Sequence, residues 1–316
     1  KYWGFSSFRG IQREIIDSIA SGKDTLGLMP TGGGKSISFQ VPALAMEGTC
    51  IVVTPLIALM KDQVGRLRQL GIKATAIYSG LSHEDILTRL ENCIFGGVKF
   101  LYVSPERLAS QLFQVKLKHM KVCFITVDEA HCISQWGYDF RPDYLAIGRL
   151  RELVDAPVIA LTATATPKVA EDIMERLCFR EKCLIKSGFE RPNLSYVVRR
   201  CEDKLGQLLN ICSTVKGTGI VYVRNRKKTE ELAAFLASNG ISSSFYHAGL
   251  GPDSRSDRQA RWKDGRTRVM VCTNAFGMGI DKPDVRFVVH FDVPDSPEAY
   301  FQEAGRGGRD GRSSYA

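Results

Sequence analysis

Short runs of apolar residues alternate along the chain with longer segments whose apolar positions recur at helical spacing. The short runs are continuously apolar, which is typical of parallel strands covered by helices on both faces. In the first part of the chain we predict strands at residues 26–29, 50–55, 74–78, 99–105, 122–127 and 158–164. Between them the pattern predicts amphipathic helices, among them residues 11–20 and 56–70.

The alternation is interrupted near residues 189–193 and then starts again. The Arg-Pro-Asn sequence at 191–193 is typical of a linker. The second series of elements comprises strands at 219–223, 243–247, 268–273 and 285–290 and helices at 229–238, 253–262 and 297–304. The pattern therefore predicts an α/β protein with two domains, residues 1–188 and 189–316, each a parallel β-sheet flanked by helices.

A glycine-rich turn follows the first predicted strand. In a relaxed form it matches the phosphate-binding loop, because Pro30 or Met29 stands where the first glycine is usual. Glycines let successive N–H groups point at a phosphate, and the next helix directs its positive end there. We predict that the loop binds ATP through Thr31, Gly32, Gly33, Gly34, Lys35 and Ser36. Lys35 would reach the β- and γ-phosphates and Ser36 would ligate Mg²⁺; an incidental turn is the alternative.

An acidic pair, Asp128-Glu129, comes directly after the apolar run at 122–127. At the carboxyl end of such a strand it would lie at the edge of the sheet that holds the phosphate loop. Asp128 is predicted to hold Mg²⁺, and Glu129 to orient and deprotonate the attacking water. The alternative is an acidic helix start, where the helix dipole stabilises carboxylates.

Two arginines three residues apart, Arg306 and Arg309, lie among glycines near the end of the chain. Such residues can present guanidinium groups to a γ-phosphate, as an arginine finger requires. A solvated basic tail is the alternative, but it would not explain the helix predicted at 297–304.

Aromatic residues cluster at two places beside these motifs. Trp136, Phe140 and Arg141 follow the acidic pair, where they would either stack on single-stranded bases or pack back on the core. Near the start of the chain, an aromatic residue, an arginine and Gln12 precede the phosphate loop, and they could hold an adenine or belong to the core.

The net charge of +9 and a pI near 9.1 favour a polyanionic partner, nucleic acid first, although a merely basic enzyme would show the same excess. Nine cysteines without a Cys-x-x-Cys pair indicate a reducing, intracellular compartment, cytoplasm (including a bacterial nucleoid) or nucleus, and predict no zinc site. No apolar run approaches the length of a membrane span, so we expect no membrane partner.

These motifs together resemble the helicase core of the RecQ family of DNA helicases, in the second helicase superfamily. The resemblance runs along essentially the whole chain and is carried by Phe8-Arg9 with Gln12 and by residues 29–36, 54–63, 104–108, 128–131, 161–166, 246–249, 276–283 and 305–311. It implies two tandem RecA-like lobes. It departs at Gly10, Ile11, Phe5 and Gly307, where the family usually has Pro, Gly, Tyr and Ala.

The resemblance also implies particular roles for single residues. Adenine would lie between Phe5 and Arg9, with Gln12 reading its edge, while Thr162 and Thr164 would couple movement of the lobes. Arg309 would be the finger, supported by Arg306. DNA would be contacted by Lys61, Arg107, Trp136, Phe140, Arg141 and Thr273.

As a whole, the resemblance implies an ATP- and Mg²⁺-dependent 3′–5′ DNA helicase core that acts in repair or recombination. Its partners would be single-stranded DNA and 3′-tailed duplex DNA, and the zinc-binding and winged-helix region of the family would be absent. An RNA helicase, a translocase that does not unwind, or a binding module without turnover are the alternatives. ATP hydrolysis measured with and without single-stranded DNA or RNA would separate them.

Overall fold

The computed structural model describes residues 2–137, 139–188, 190–277 and 282–316. Three parts of the motifs above lie outside these ranges. They are Tyr138 of the segment that carries Trp136, Phe140 and Arg141 (the aromatic loop), Phe189 of the predicted linker, and residues 278–281 of the motif at 276–283. The chain forms two compact units, Lys1–Phe189 and Glu190–Ala316, each with its own sheet.

The first unit is built on a parallel sheet of seven strands within the described residues. The strands are β1 (Thr25–Leu28), β2 (Thr49–Val53), β3 (Ala74–Ile77), β4 (Phe100–Val103), β5 (Val122–Asp128), β6 (Val158–Thr162) and β7 (Leu184–Lys186). Their spatial order is β3-β4-β2-β5-β6-β1-β7. The strand that leads into the glycine-rich loop, β1, therefore lies between the two strands that come last in the first unit.

Helices cover both faces of this sheet. They are α1 (Gln12–Ala20), α2 (Lys35–Ala45), α3 (Ile57–Gln69), α4 (His83–Phe95), α5 (Gln111–Leu117), α6 (Ala146–Leu153) and α7 (Pro167–Arg176). Short 3₁₀ helices span Pro105–Arg107, Ala130–Ile133 and Pro142–Leu145. Side-chain oxygens fix where some helices begin: Ser82 accepts from the Asp85 N–H ahead of α4, and Thr166 accepts from the Val169 N–H ahead of α7.

Two apolar clusters sandwich the sheet, and successive residues of one strand enter different clusters. In β2, Ile51 and Val53 belong to one cluster, whereas Cys50 and Val52 belong to the other. Because side chains of a strand point alternately to the two faces, a strand buried on both faces must be apolar throughout. This explains the continuous apolar runs of the sequence.

A buried carboxylate, Asp24, holds the start of β1 in place. Its oxygens accept from Arg151 Nη1 at 2.5 Å, from the Val158 N–H at 2.8 Å and from the Arg180 N–H at 2.7 Å. Burial raises the pKa of Asp24, but these donors outweigh it and hold the pKa below its ordinary value. One side chain thus joins the starts of β1 and β6 to the segment that precedes β7.

The second unit repeats the layout with a six-stranded parallel sheet in the described residues. Its strands are β8 (Leu194–Ser195), β9 (Thr218–Tyr222), β10 (Ser243–Tyr246), β11 (Val269–Cys272), β12 (Val285–His290) and β13 (Ser314–Tyr315). Its helices are α8 (Lys204–Thr214), α9 (Arg226–Ser238), α10 (Pro252–Lys263) and α11 (Pro297–Ala304). The strand order is β10-β11-β9-β12-β13-β8.

The predicted fold class, two α/β lobes with parallel sheets, is confirmed. The apolar pattern did not predict β7, β8 and β13, which have only two or three residues each and are partly exposed. Among the helices of the described residues, none is both long and apolar enough to span a lipid bilayer.

Candidate functional site

The glycine-rich loop joins the carboxyl end of β1 to the start of α2. Gly32 and Gly34 have φ of +84° and +78°, a left-handed conformation that side chains other than glycine rarely adopt. Gly33 has a different constraint, because a Cβ there would lie 2.9 Å from the Pro30 carbonyl oxygen. Glycine is therefore required at all three positions for this loop shape.

The side chain of Gln12, the first residue of α1, is hydrogen-bonded to the glycine-rich loop. Its Nε2 donates to the carbonyl oxygens of Gly33 and Gly34, both at 3.2 Å, and its Oε1 accepts from the Arg9 N–H at 2.9 Å. Gln12 is 5% exposed. The first residues of the chain and the glycine loop are thus held together by one buried amide.

A cavity of about 1220 Å³ in the first unit lies beside this contact. Phe5, Arg9 and Gln12 line it together with Gly32–Gly34 of the loop. Phe5 is 62% exposed and Arg9 is also exposed, so neither belongs to the core. The structure therefore brings the residues expected to hold an adenine to the same cavity as the phosphate loop.

Lys35 faces the acidic pair across the carboxyl edge of the sheet. Its Nζ lies 3.5 Å from Glu129 Oε1, and both side chains are largely buried. Glu129 has φ +50°, an uncommon conformation for a residue with a side chain, and its N–H donates to Asp128 Oδ1 at 3.0 Å. Strained residues of this kind concentrate at functional sites.

Asp128 is 8% exposed, and its surroundings disfavour its charged form. Burial and the neighbouring Glu129 carboxylate raise the pKa of Asp128 to about 6, against the lowering effect of Lys35. A cation placed against Asp128 would offset both effects. The carboxylate pair therefore carries more negative charge than Lys35 balances, as expected of a site for a divalent cation.

A polar network that we did not predict orients Ser36. Gln63 of α3 donates from Nε2 to Ser36 Oγ at 3.3 Å, and the Tyr102 hydroxyl donates to Gln63 Oε1 at 2.9 Å. Gln40 Nε2 lies 3.2 Å from the same Gln63 oxygen. The sequence feature that could have indicated this network is Tyr102, whose hydroxyl is the one polar side-chain group in the otherwise apolar β4.

His131 connects the acidic pair to β6. Its Nδ1 lies 2.9 Å from Thr162 Oγ1 and 3.5 Å from Glu129 Oε2. Burial lowers the pKa of His131, so the ring is neutral at neutral pH. Thr162 Oγ1 in turn donates to the Thr164 carbonyl at 3.3 Å. The predicted coupling role of Thr162 and Thr164 stays a prediction, but this chain of contacts leads from them to Glu129.

The aromatic loop begins directly after these residues. Trp136 is 63% exposed, with the Lys168 Nζ 3.1 Å from the centre of its ring, whereas Phe140 is half-buried. Arg141 is anchored through Nη2 to Asp139 Oδ2 at 3.0 Å and through its N–H to the Cys132 carbonyl at 2.8 Å. Core packing is therefore excluded for Trp136.

The other residues expected to contact DNA in the first unit are Lys61 and Arg107. Lys61 is exposed at the start of α3, with Nζ 5.1 Å from the centre of the Tyr78 ring. Arg107 is half-buried in a 3₁₀ helix after β4. Both follow carboxyl ends of strands, at the same edge of the sheet as the glycine loop.

Thr273, Arg306 and Arg309 belong to the second unit. Thr273 follows β11, is 7% exposed, and accepts the Ala275 N–H on its hydroxyl at 3.4 Å. Arg306 is 3% exposed after α11 and lies beside Tyr222, whereas Arg309 is partly exposed. The greater exposure of Arg309 suits a group that must reach a ligand.

The residues of the first unit fit a nucleotide with a divalent cation. The glycine loop forms a cradle in which a Cβ at Gly34 would lie 2.3 Å from Gln12 Nε2. Ser36 and Asp128 supply the hard oxygen ligands that Mg²⁺ prefers.

The described residues suit a zinc ion less well than a magnesium ion. His131, Cys132 and Asp139 place three ligand atoms within 4.8 Å of one another. However, Arg141 already pairs with Asp139, and burial raises the pKa of the Cys132 thiol, which disfavours the thiolate that zinc requires. The expected absence of zinc stays a prediction.

The sequence of this chain is similar to the sequences of known helicases. The DEAD/DEAH box helicase family matches residues 9–173, and the helicase conserved C-terminal domain matches residues 202–311. The chain is 46% identical over 318 residues to the ATP-dependent DNA helicase RecQ of Bacillus subtilis, covering 99% of this chain and 54% of that protein. It is 43% identical over 320 residues to the probable ATP-dependent DNA helicase RecS of the same organism, covering 99% and 64%. The chain thus spans between about half and two-thirds of these relatives.

A solved structure supports the fold. The DEAD-box helicase Mss116, bound to single-stranded RNA and UDP-BeF, superimposes with a TM-score of 0.81 at 18% identity, covering 99% of this chain and 70% of that one. At such low identity the likeness concerns the fold alone.

Proposed function

The chain belongs to the DEAD/DEAH box helicase family and carries the helicase core of its RecQ members, and from this premise we propose that it couples ATP hydrolysis to 3′–5′ movement on single-stranded DNA and to separation of duplex strands. The proposed substrates are single-stranded DNA and 3′-tailed duplexes, in repair or recombination inside the cell. The observation that carries the proposal is the 3.5 Å approach of Lys35 to Glu129, next to Asp128 and the glycine loop.

In this proposal the first unit binds the nucleotide. Phe5 and Arg9 hold the adenine by stacking, and Gln12 reads its edge. Because both Nε2 hydrogens of Gln12 are donated to the Gly33 and Gly34 carbonyls, Oε1 is the atom that accepts from the base while these loop contacts persist. Thr31 and the backbone N–H groups of Gly32–Gly34 receive the phosphates, and Lys35 neutralises their charge. MgATP supplies the phosphoanhydride bond whose hydrolysis drives the cycle.

Glu129 is the proposed general base. It follows the carboxyl end of β5, and its carboxylate is held in position by Lys35 and His131. Ser36 and Asp128 are the proposed Mg²⁺ ligands, and Gln63 keeps the Ser36 hydroxyl oriented. From the second unit, we propose that Arg309 stabilises the charge that develops in the transition state and that Arg306 supports it.

A single-stranded nucleic acid is the proposed partner because the aromatic loop offers an exposed stacking surface and the chain is basic. Trp136 and Phe140 would stack on bases, while Lys61, Arg107, Arg141 and Thr273 would contact the backbone. The names of the relatives quoted above agree with DNA rather than RNA.

ATP hydrolysis and strand separation test this function. With Lys35→Ala we expect turnover to be abolished and ATP binding weakened, because the phosphates lose their positive partner. With Arg309→Ala we expect nucleotide to bind normally and kcat to fall by about 10³-fold, since the arginine acts on the transition state. Lys182→Ala, which removes the exposed ion pair between Lys182 and Glu171 of α7, is the matched control.

The nucleic-acid specificity is read from the same assay. Single-stranded DNA should stimulate hydrolysis more strongly than RNA of the same length, and a 3′-tailed duplex should be unwound. Normal turnover by Lys35→Ala would refute the phosphate-loop role; equal stimulation by RNA would replace the DNA proposal with an RNA helicase, and stimulated hydrolysis without strand separation would indicate a translocase.

A further inference from the structure

The edge of the first sheet opposite to β7 carries a basic pocket that the proposed function does not use. It has a volume of about 540 Å³ and is lined by the end of α3, the start of β3 and the end of α4. Three cationic residues line it, Arg68 from α3, Lys73 ahead of β3 and Arg89 from α4.

The pocket is separate from the nucleotide site. It lies at the amino end of β3, whereas the glycine loop follows the carboxyl end of β1. Because the strands of this sheet are parallel, their amino ends lie on one side of the sheet and their carboxyl ends on the other. A strand of four residues separates these two sides by roughly 13 Å.

The cations are held in place by backbone carbonyl groups. Arg68 Nε donates to Ala74 O at 2.8 Å, and Arg89 Nη1 donates to Ala76 O at 2.7 Å. Lys73 Nζ donates to Gly96 O at 3.0 Å. Since each contact occupies one donor of its group, the remaining N–H groups of the guanidinium and ammonium ions are available to a ligand.

Protection of the sheet edge accounts for part of this arrangement. β3 is an edge strand, and its Ala74 and Ala76 carbonyls would otherwise face open solvent, where they invite pairing with another chain. The carboxyl ends of helices also favour cations. Neither reason requires three positive charges at one concavity, and among the described residues no carboxylate forms an ion pair with any of the three.

The remaining charge therefore points to an anion. Glu91, the acidic residue of α4 nearest in sequence to Arg89, already pairs with Lys116 at 3.0 Å. Guanidinium groups fixed on two elements match the several oxygens of a phosphate. We propose that Arg68, Lys73 and Arg89 form a second phosphate-binding site, which accepts either a free oligophosphate or a phosphate of a nucleic-acid backbone.

Calorimetric titration of inorganic pyrophosphate tests the site while a non-hydrolysable MgATP analogue saturates the nucleotide site. We expect one pyrophosphate to bind per chain, and Arg68→Gln/Arg89→Gln to weaken it at least tenfold. Arg176→Gln/Arg180→Gln, which removes two exposed arginines from the same unit, should leave binding unchanged.

A second variant guards against damage to the sheet edge. Lys73→Glu leaves Arg68 and Arg89 hydrogen-bonded to the carbonyl groups of β3, so it should fold with an unchanged melting temperature and still weaken binding at least tenfold. Lys182→Glu is its matched control, since Lys182 is an exposed lysine distant in sequence from the pocket.

A thymidine oligomer distinguishes the two sources of phosphate. If the ligand is a backbone phosphate, the pocket variants should weaken oligomer binding as well as pyrophosphate binding, and should reduce the salt dependence of oligomer binding by about one phosphate contact relative to the controls. If pyrophosphate binding alone is lost, the ligand is a free oligophosphate. Binding of both probes that is equal in pocket and control variants would overturn the site.

Discussion

Asp24 shows how much one residue contributes when it accepts three hydrogen bonds in the interior. Its partner Arg151 is itself only 10% exposed at the side chain. Removing one member of a buried ion pair leaves the other charge without compensation, and this penalty exceeds the net worth of the pair. The residue lies outside every motif of the sequence, where it reads as an ordinary charge ahead of a strand.

We predict that Asp24→Asn lowers the free energy of unfolding of the first unit by about 3–5 kcal/mol. Urea titration monitored by circular dichroism at pH 7 measures this change. Asp155→Asn is the control, because Asp155 pairs with Arg180 at the exposed surface. Equal effects of the two substitutions would contradict the role given to burial.

The same carboxylate makes stability depend on pH. The pKa of Asp24 is lower in the folded than in the unfolded chain, so its stabilisation is fully present above the unfolded value of about 4. It is lost as pH falls through the lower folded-state value. The stability difference between the native chain and Asp24→Asn should therefore begin to shrink as pH falls below about 4 and continue to shrink as pH passes through the folded-state pKa; a constant difference would show another cause.

Tyr102 is a second residue whose effect is indirect. We predict that Tyr102→Phe raises the KM for MgATP about fivefold, because Gln63 loses a hydrogen bond worth ~1 kcal/mol and orients Ser36 less well. A steady-state titration with ATP measures it. Tyr315→Phe, at an exposed tyrosine, is the control, and an unchanged KM would mean that Gln40 alone holds Gln63.

At the scale of elements, the aromatic loop at residues 134–141 places an exposed aromatic side chain shortly after the acidic pair. Its Trp136 is exposed, while its neighbour Arg141 is anchored to Asp139 and to the carbonyl of Cys132. The loop thus combines an anchored residue, Arg141, with an exposed aromatic residue, Trp136, only a few residues after Glu129.

We predict that Trp136→Ala leaves basal ATP hydrolysis and most of the DNA affinity intact but abolishes stimulation by single-stranded DNA and, with it, unwinding. Base stacking is worth about 1–3 kcal/mol, enough to shift a loop equilibrium tenfold. Basal and stimulated rates measured on one preparation test this.

The control for this prediction is Trp136→Phe, which retains a stacking face and should retain stimulation. Because Trp136 is exposed, the alanine variant should change stability by no more than about 0.5 kcal/mol. A large drop in melting temperature, or full stimulation by DNA, would exclude the coupling role.

The elements themselves were largely predictable from the sequence. Strands buried on both faces are continuous apolar runs, so β2, β4, β5 and β6 were found with ends shifted by one or two residues. The short β7 was not found, since Leu184–Lys186 is partly exposed and owes its place to pairing with β1. Local pattern does not report a strand that only long-range pairing stabilises.

The candidate site shows the same division. The proximity of Lys35 to the acidic pair was predictable because both motifs follow strands whose carboxyl ends lie on one side of the sheet, while the catalytic roles stay predictions. The supporting shell was not: Gln63 and Tyr102 contact the site only because α3 and β4 pack against α2. Such contacts depend on tertiary structure, and one sequence without relatives does not reveal them.

For the whole molecule, the basic excess is the property with a direct thermodynamic consequence. Binding to a phosphate backbone releases condensed counterions, so the logarithm of affinity falls linearly with the logarithm of salt concentration. The net charge of +9 provides the cations for such contacts.

We predict a salt slope of about −0.7 for each phosphate contacted on single-stranded DNA. Fluorescence anisotropy with a labelled thymidine oligomer at salt concentrations from about 50 to 200 mM measures it. Replacing Lys61 should reduce the slope by about one contact, whereas the exposed Lys182 should have no effect. An affinity independent of salt would argue against recognition of the backbone.

The position of β1 in its sheet also constrains how the chain is made. β1 leaves the ribosome well before its partners β6 and β7, since its Thr25 lies opposite Ile159. At ~5–20 residues per second, the ribosome needs on the order of ten seconds to supply these partners. During that interval the nascent chain exposes an unpaired apolar strand, so the glycine-rich loop that follows β1 acquires its shape only after β6 and β7 have been made, long after its own synthesis.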